Sequence, residues 1–149
     1  MSKWTNLVLP AVALLLAACQ EPPAKPIDIR EQDACARCKM PIADVRYAAE
    51  LIDRAGAPHK FDEIGCMVNY IKLKHPQRDF RATFVMDYDQ KQWLKSNEAF
   101  FVRSEQIRTP MSGGIVAFHE KARADGVASQ FQGQVFKFDD LLKQQEKSP

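Results

Sequence analysis

The sequence predicts an α+β domain made of two ββαβ units, carried behind an export signal and a proline-rich tether. Three observations lead there. Strand-like segments alternate with single helical stretches, and the order strand, strand, helix, strand is readable twice along the chain. A 12-residue apolar run from Leu7 to Ala18 follows Lys3 and stops at Cys19. The composition is globular, with 149 residues, 46% hydrophobic and 27% charged, which excludes wholesale disorder. Lys and Arg number 21 against 19 Asp and Glu, with no basic run, so nucleic-acid binding has no electrostatic footprint.

The apolar run falls short of the ~20 residues that a helix needs to cross a bilayer core. A positive start, a short apolar stretch and small residues before a break describe a secretory signal, and Pro10 argues against a packed helix. Leu16-Ala17-Ala18-Cys19 resembles the bacterial lipoprotein cleavage box. The resemblance implies a signal peptide over 1–18 and lipidation of Cys19. Gln20 rather than Asp after that cysteine points to the outer membrane, facing the periplasm, with the inner membrane as the alternative. Membrane contact is expected through the anchor alone. Residues 19–34, with Pro22, Pro23 and Pro26, read as a semi-rigid tether. The domain proper is expected over 35–149, with halves of about 35–90 and 91–149. Its roughly 110 ordered residues bury something over 60% of their unfolded surface, so disulfides are not needed.

In the first half, 46–53 reads as a strand, Arg54-Ala-Gly-Ala57 as a turn, and 58–62 as a short returning strand. Asp62 is the expected N-cap of a helix over 63–74, where Ile64, Met67, Val68 and Ile71 form one apolar stripe. His75-Pro76 ends it, and 81–88 returns as a strand with Met86 in the core. The second half repeats the order: strands at 99–103 and 114–118, a helix at 119–127, a strand at 133–138 and a closing helix at 139–147. Trp93, Phe100 and Phe101 are assigned to the core.

With Cys19 set aside, three thiols remain, Cys35, Cys38 and Cys66, and an odd number cannot all pair within one chain. At least one stays free in an oxidising compartment, which suggests a role other than stapling. Methionines accompany them: Met40 follows Cys38 at a spacing of two, Met67 follows Cys66, and Met111 precedes Gly113-Gly114. Thiolate and thioether sulfurs are soft donors, and a mixed set selects Cu(I). In an extended segment Cys38 and Met40 would point to the same side and reach one ion. Methionine usually fills core gaps, the role expected for Met67, but Pro110 and the paired glycines put Met111 on a loop. Cys66 reads equally as a small buried hydrophobe or as facing the Cys35/Cys38 segment. His59 and His119 are expected on the surface or in hydrogen bonds.

Taken together, the lipobox, Cys35-X-X-Cys38-X-Met40-Pro-Ile42, Phe61-Asp62-Glu-Ile-Gly65-Cys66, the Trp93 segment and Met111-Ser-Gly-Gly114-Ile-Val-Ala-Phe118 resemble the NosL family. These are periplasmic copper-binding lipoproteins associated with assembly of nitrous oxide reductase. The resemblance implies a Cu(I) chaperone and not an enzyme, with two ββαβ units of treble-clef, organomercurial-lyase-like (MerB-like) fold. It implies Cys38, Met40 and Met111 as copper ligands, with Cys35 and Cys66 in the pattern but without a role. The implied partners are the immature reductase and an ABC-type membrane assembly complex with its periplasmic subunit. Rival readings are a thiol–disulfide oxidoreductase using Cys35-X-X-Cys38, and a structural zinc module of Cys₃His type from Cys35, Cys38, Cys66 and His59. An organomercurial-lyase-like enzyme rests on fold analogy alone.

Overall fold

The computed structural model describes residues 22–144; the signal-peptide segment and Cys19 lie outside them. Strands β1 (Ala49–Asp53) and β2 (Pro58–Phe61) form a hairpin and lead into helix α1 (Ile64–Lys74), then β3 (Phe80–Met86). A short strand β4 (Trp93–Lys95) is added before β5 (Phe100–Arg103), β6 (Ile115–Phe118), helix α2 (Lys121–Gln130), β7 (Gln134–Phe136) and helix α3 (Phe138–Lys143). The expected repeat is therefore present, β1β2α1β3 and then β5β6α2β7. Each half carries its own antiparallel sheet, ordered β2-β1-β3-β4 and β6-β5-β7.

Several boundaries move for local reasons. Residues 46–48, expected at the start of the first strand, belong to a 3-10 turn, Val45–Tyr47, and its C-cap; the Asp44 side chain caps the turn by accepting from the Arg46 amide. Helix α1 begins at Ile64 with Glu63, not Asp62, in the capping position. The stripe on α1 behaves as expected, with Ile64, Met67, Val68 and Ile71 all buried. Strand β4 carries no sequence signal of its own. It exists because β3 has an open edge, and Val85 and Met86 pair with Leu94 and Trp93. Trp93 is accordingly half-buried on an edge rather than in the core, and Phe100 is also half-buried, whereas Phe101 is fully buried.

The two halves share one core. Leu51, Phe61, Ile64, Met67 and Val85 from the first pack with Phe101, Ile115, Ala117 and Leu141 from the second. A second cluster, Val102, Val116, Phe118, Ala124, Val127 and Ala128, fills the other face of β5 and β6 against α2. Period-2 alternation divides β6 between them: Ile115 and Ala117 face the shared core, Val116 and Phe118 face α2. A strand buried on both sides has to be apolar throughout, which is why 115–118 reads as an unbroken apolar run. Each large side chain buried this way contributes about 1.5–3 kcal/mol. Asp87 joins the halves, accepting from the Asp89 and Gln90 amides on one oxygen and from the His119 amide on the other.

The segment expected to act as tether makes specific bonds to the domain. The Ile27 amide donates to Glu50, and Lys60 Nζ donates to the Asp28 carbonyl and the Asp33 carboxylate.

Candidate metal centre

The Cys35–Met40 segment is a tight knuckle. Its stem closes through an Ala34–Pro41 bridge, the Cys35 amide donating to the Met40 carbonyl and the Ile42 amide donating to that of Asp33. Within the loop the Lys39 amide donates to the Cys35 carbonyl at 3.0 Å, and the Cys38 amide approaches Cys35 Sγ at 3.5 Å. Lys39 sits at φ +65°, so the chain turns sharply between Cys38 and Met40. The segment is not extended, and the expectation that alternation aims both side chains the same way is replaced by this turn. The knuckle is fastened to β2 by the Ala36 amide, which donates to the Lys60 carbonyl at 2.7 Å.

That attachment brings the knuckle over the β2–α1 junction, where Asp62 ends the hairpin and Cys66 lies in the first turn of α1. One ligand atom from each of Cys35, Cys38, Asp62 and Cys66 lies within 4.8 Å of all the others. Cys38 Sγ donates to Asp62 Oδ2 at 3.3 Å. The other oxygen, Oδ1, is buried with no partner among the described residues. A buried carboxylate oxygen without a donor is the kind of atom a cation would complete. Arg37 Nη1 lies 4.0 Å from Cys66 Sγ and adds positive charge beside the cluster.

The three thiols are free and unequal. The Cys66 thiol donates to Cys35 and pulls it down to about 6; that bond, reinforced by burial, holds the Cys66 proton on, far above the ordinary thiol range. Burial pushes Cys38 up to about 11, with the hydrogen bonds to Cys35 and Asp62 acting in the same direction. The centre therefore holds sulfur protons that a metal would displace.

Of the sequence-predicted ligands, Cys38 is in the cluster, and Cys35 and Cys66 join it from the buried side. Met40 and Met111 are 54% and 45% exposed, unusual values for large apolar side chains. Met111 belongs to a turn whose Met111 amide donates to Glu63 Oε2 at 2.9 Å, so a loop of the second half is fixed to the residue between Asp62 and α1. His59 is engaged elsewhere, with Asp53 at 3.0 Å and the Tyr70 hydroxyl at 3.2 Å, and His119 is exposed. Met67 is core, as expected. Sequence reasoning missed Asp62 as a cluster member by assigning it to the helix cap. The signal was the adjacent acidic pair Asp62-Glu63 before Gly65-Cys66, for a surface helix cap needs only one polar residue. The pair Cys35/Cys38 sits in a knuckle and not at a helix N-terminus, so the lowered Cys35 thiol owes its state to Cys66 and not to a helix dipole.

Comparison with known proteins bears on the fold and the family. The crystal structure of the copper chaperone NosL from Shewanella denitrificans superposes with a TM-score of 0.74 at 20% identity, covering 83% of this chain and 100% of that one. At that identity the likeness bears on the fold. No curated protein matches the chain. The sequence model of the NosL family matches residues 26–145, which takes in the knuckle, the acidic pair, Cys66 and the Met111 loop, and the chain belongs to the NosL family.

Proposed function

We propose that this protein is a periplasmic Cu(I) chaperone, held to the outer membrane by a lipid on Cys19, that supplies copper for the copper-sulfide centre of nitrous oxide reductase. The observation that carries the reading is the cysteine cluster with two half-exposed methionines in the segments around it. Cys38, Met40 and Met111 are the copper ligands in this account. A thiolate and two thioethers suit a soft monovalent ion, and the thioethers bind without losing a proton. Exposed thioether ligands leave the ion an open edge. An incoming donor from the immature reductase or from the membrane assembly complex adds before a chaperone sulfur leaves, so copper is never free. No covalent step on the protein is required, and the one proton exchanged is that of the Cys38 thiol, lost as copper binds and regained as it leaves.

A second reading has its own observation. Cys35, Cys38, Cys66 and Asp62 form a Cys₃Asp set, with Asp62 in the place that the sequence offered to His59. Zn–S bonds of about 2.3 Å put the corners of a tetrahedral site about 3.8 Å apart, which the observed spacing accommodates with small rotamer changes. Cys38 is common to both sets, so zinc held there would support the knuckle in place of copper.

Anaerobic titration of the full chain with Cu(I), in competition with a chromophoric chelator, tests the first reading. Cys38→Ser, Met40→Leu and Met111→Leu should each weaken binding while leaving the circular dichroism unchanged. Parental affinity in all three would overturn the ligand assignment. Metal analysis of the purified protein addresses the second reading: zinc retained through dialysis, and unfolding on its removal, would support it.

A further inference from the structure

Glu63 occupies the N-cap position of α1, yet its side chain makes no capping bond to that helix. The carboxylate instead reaches a loop 48 residues further on. Oε2 accepts from the Met111 amide at 2.9 Å and from the Gly113 amide at 3.4 Å, and the whole residue is only 3% exposed. A buried acid normally needs this kind of satisfaction, and an acid accepting backbone N–H groups makes some of the stronger hydrogen bonds available to it. The surrounding space is shaped for the carboxylate. A Cβ on Gly65 would lie 2.7 Å from Glu63 Oε1, and one on Gly113 would run into the same oxygen. Gly113 is not in the left-handed region, so its lack of a side chain is explained by this contact and not by backbone conformation. The Cβ direction of Gly65 also points at Gly113 Cα, 3.5 Å away, which lays the loop directly on the helical turn that carries Cys66.

Resting on the ligand reading above, we infer that Glu63 is the positioning residue for Met111: its carboxylate clamps the 109–114 loop onto the first turn of α1 and so brings a thioether of the second half to the cysteine cluster of the first. The loop has its own internal ties, Ser112 to the Thr109 carbonyl and Gly114 to the Thr109 hydroxyl, which shape the turn. Glu63 decides where that turn is parked. The placement matters because Met111 is separated from the cysteines by both the chain and the sheet boundary, and its own side chain, half in solvent, does not hold it there.

The test uses the full chain labelled at methionine methyl groups, with Cu(I) added anaerobically. In the parent protein the Met40 and Met111 methyl resonances both move on Cu(I) addition. Glu63→Ala, and Gly113→Ala, which evicts the carboxylate from the other side, should abolish the Met111 response, leave that of Met40, and weaken Cu(I) binding by about 10- to 100-fold. Glu63→Gln, which keeps an oxygen in place, should restore most of both. Backbone amide exchange at Met111 and Gly113 in metal-free protein reads the clamp by itself: slow in the parent and in Glu63→Gln, fast in the alanine variants. A full Met111 response in Glu63→Ala, or unchanged amide exchange, overturns the positioning role. A Met111 resonance indifferent to copper in the parent, with the exchange pattern as expected, overturns the ligand reading instead.

Discussion

Replacing Asp62 by Asn isolates the one hard donor in a sulfur-rich centre. The substitution keeps the shape of the side chain and an acceptor for the Cys38 thiol, 3.3 Å from Oδ2, and removes the charge. The residue is 2% exposed and its Oδ1 has no partner among the described residues. In the metal-free protein, neutralising such a group relieves an unfavourable desolvation, so Asp62→Asn should be at least as stable as the parent, by up to about 1 kcal/mol. Metal reverses the sign. A carboxylate is a good ligand for zinc and a poor one for Cu(I). If Asp62 completes the Cys₃Asp set, its loss should weaken Zn(II) binding about 10- to 100-fold. At a fixed buffered Zn(II) concentration well above Kd, that removes about 1.4–2.7 kcal/mol of ligand-induced stability. For a domain of this size, at about 4 °C per kcal/mol, the zinc-induced rise in Tm should shrink by about 6–11 °C. Cu(I) affinity should not fall, because none of Cys38, Met40 and Met111 is a carboxylate and losing the Asp62 charge makes the Cys38 thiol easier to ionise. Calorimetry of the full chain in metal buffers gives the first number and chelator competition the second. Identical zinc-induced shifts in parent and variant would refute Asp62 as a zinc ligand, and an equal loss for both metals would make Asp62 a ligand to copper as well.

Three further outcomes follow from the structure. Cys38 is held at about 11, so a metal that takes its thiolate displaces a proton throughout the neutral range, and Cu(I) affinity should rise with pH by about tenfold per unit for each proton released; a flat profile between pH 6 and 9 would contradict thiolate binding. Glu50 is fully buried on β1, burial raises its pKa, and Oε2 lacks a partner among the described residues. The folded state thus binds that proton more tightly than the unfolded one, so stability is fully present below the unfolded carboxyl pKa and falls as pH rises above it; Glu50→Gln should raise Tm at pH 7 and change it little near pH 4. Phe101 is fully buried in the core shared by both halves and stacks on Phe138 at 5.7 Å. Phe101→Ala should cost about 3–5 kcal/mol and still unfold in one calorimetric transition, whereas two transitions would mean that the ββαβ units fold separately.

The fold was legible where a segment's own pattern decides its state. The stripe on α1 and the apolar run at 115–118 announce their burial in composition alone, and the doubled ββαβ order follows from them. What escaped was decided by partners distant in sequence. Nothing in Trp93-Leu-Lys95 favours a strand until the edge of β3 offers it unpaired backbone groups. The same holds at the site. Cys35, Cys38 and Cys66 stand out by type, but Asp62 looks like a helix cap unless the knuckle is known to hang from the Lys60 carbonyl and drop Cys38 onto it. Lys39 misled in a subtler way: a non-glycine residue at φ +65° hides a turn inside a stretch that side-chain alternation would treat as extended.

The arrangement also gives the second half a part beside a cluster whose three cysteines all come from the first. Cys35 and Cys38 on a knuckle, with Asp62 and Cys66 on a strand–helix junction, make a largely buried set that, in the proposed account, backs the ion. Fully enclosed, such a set would bind tightly and exchange slowly, which suits a structural metal. A carrier needs a ligand that can withdraw. In the proposed account the Met111 loop supplies one, a neutral thioether on a surface turn, fastened through the Glu63 carboxylate and its hydrogen bonds from the Met111 and Gly113 amides. Opening that clamp takes the Met111 and Gly113 amide donors away from a buried carboxylate, an unfavourable step that keeps the loop closed at rest. It breaks no metal–thiolate bond and leaves the shared core untouched, so a partner competing for the copper has only to displace the most weakly held of the three proposed ligands.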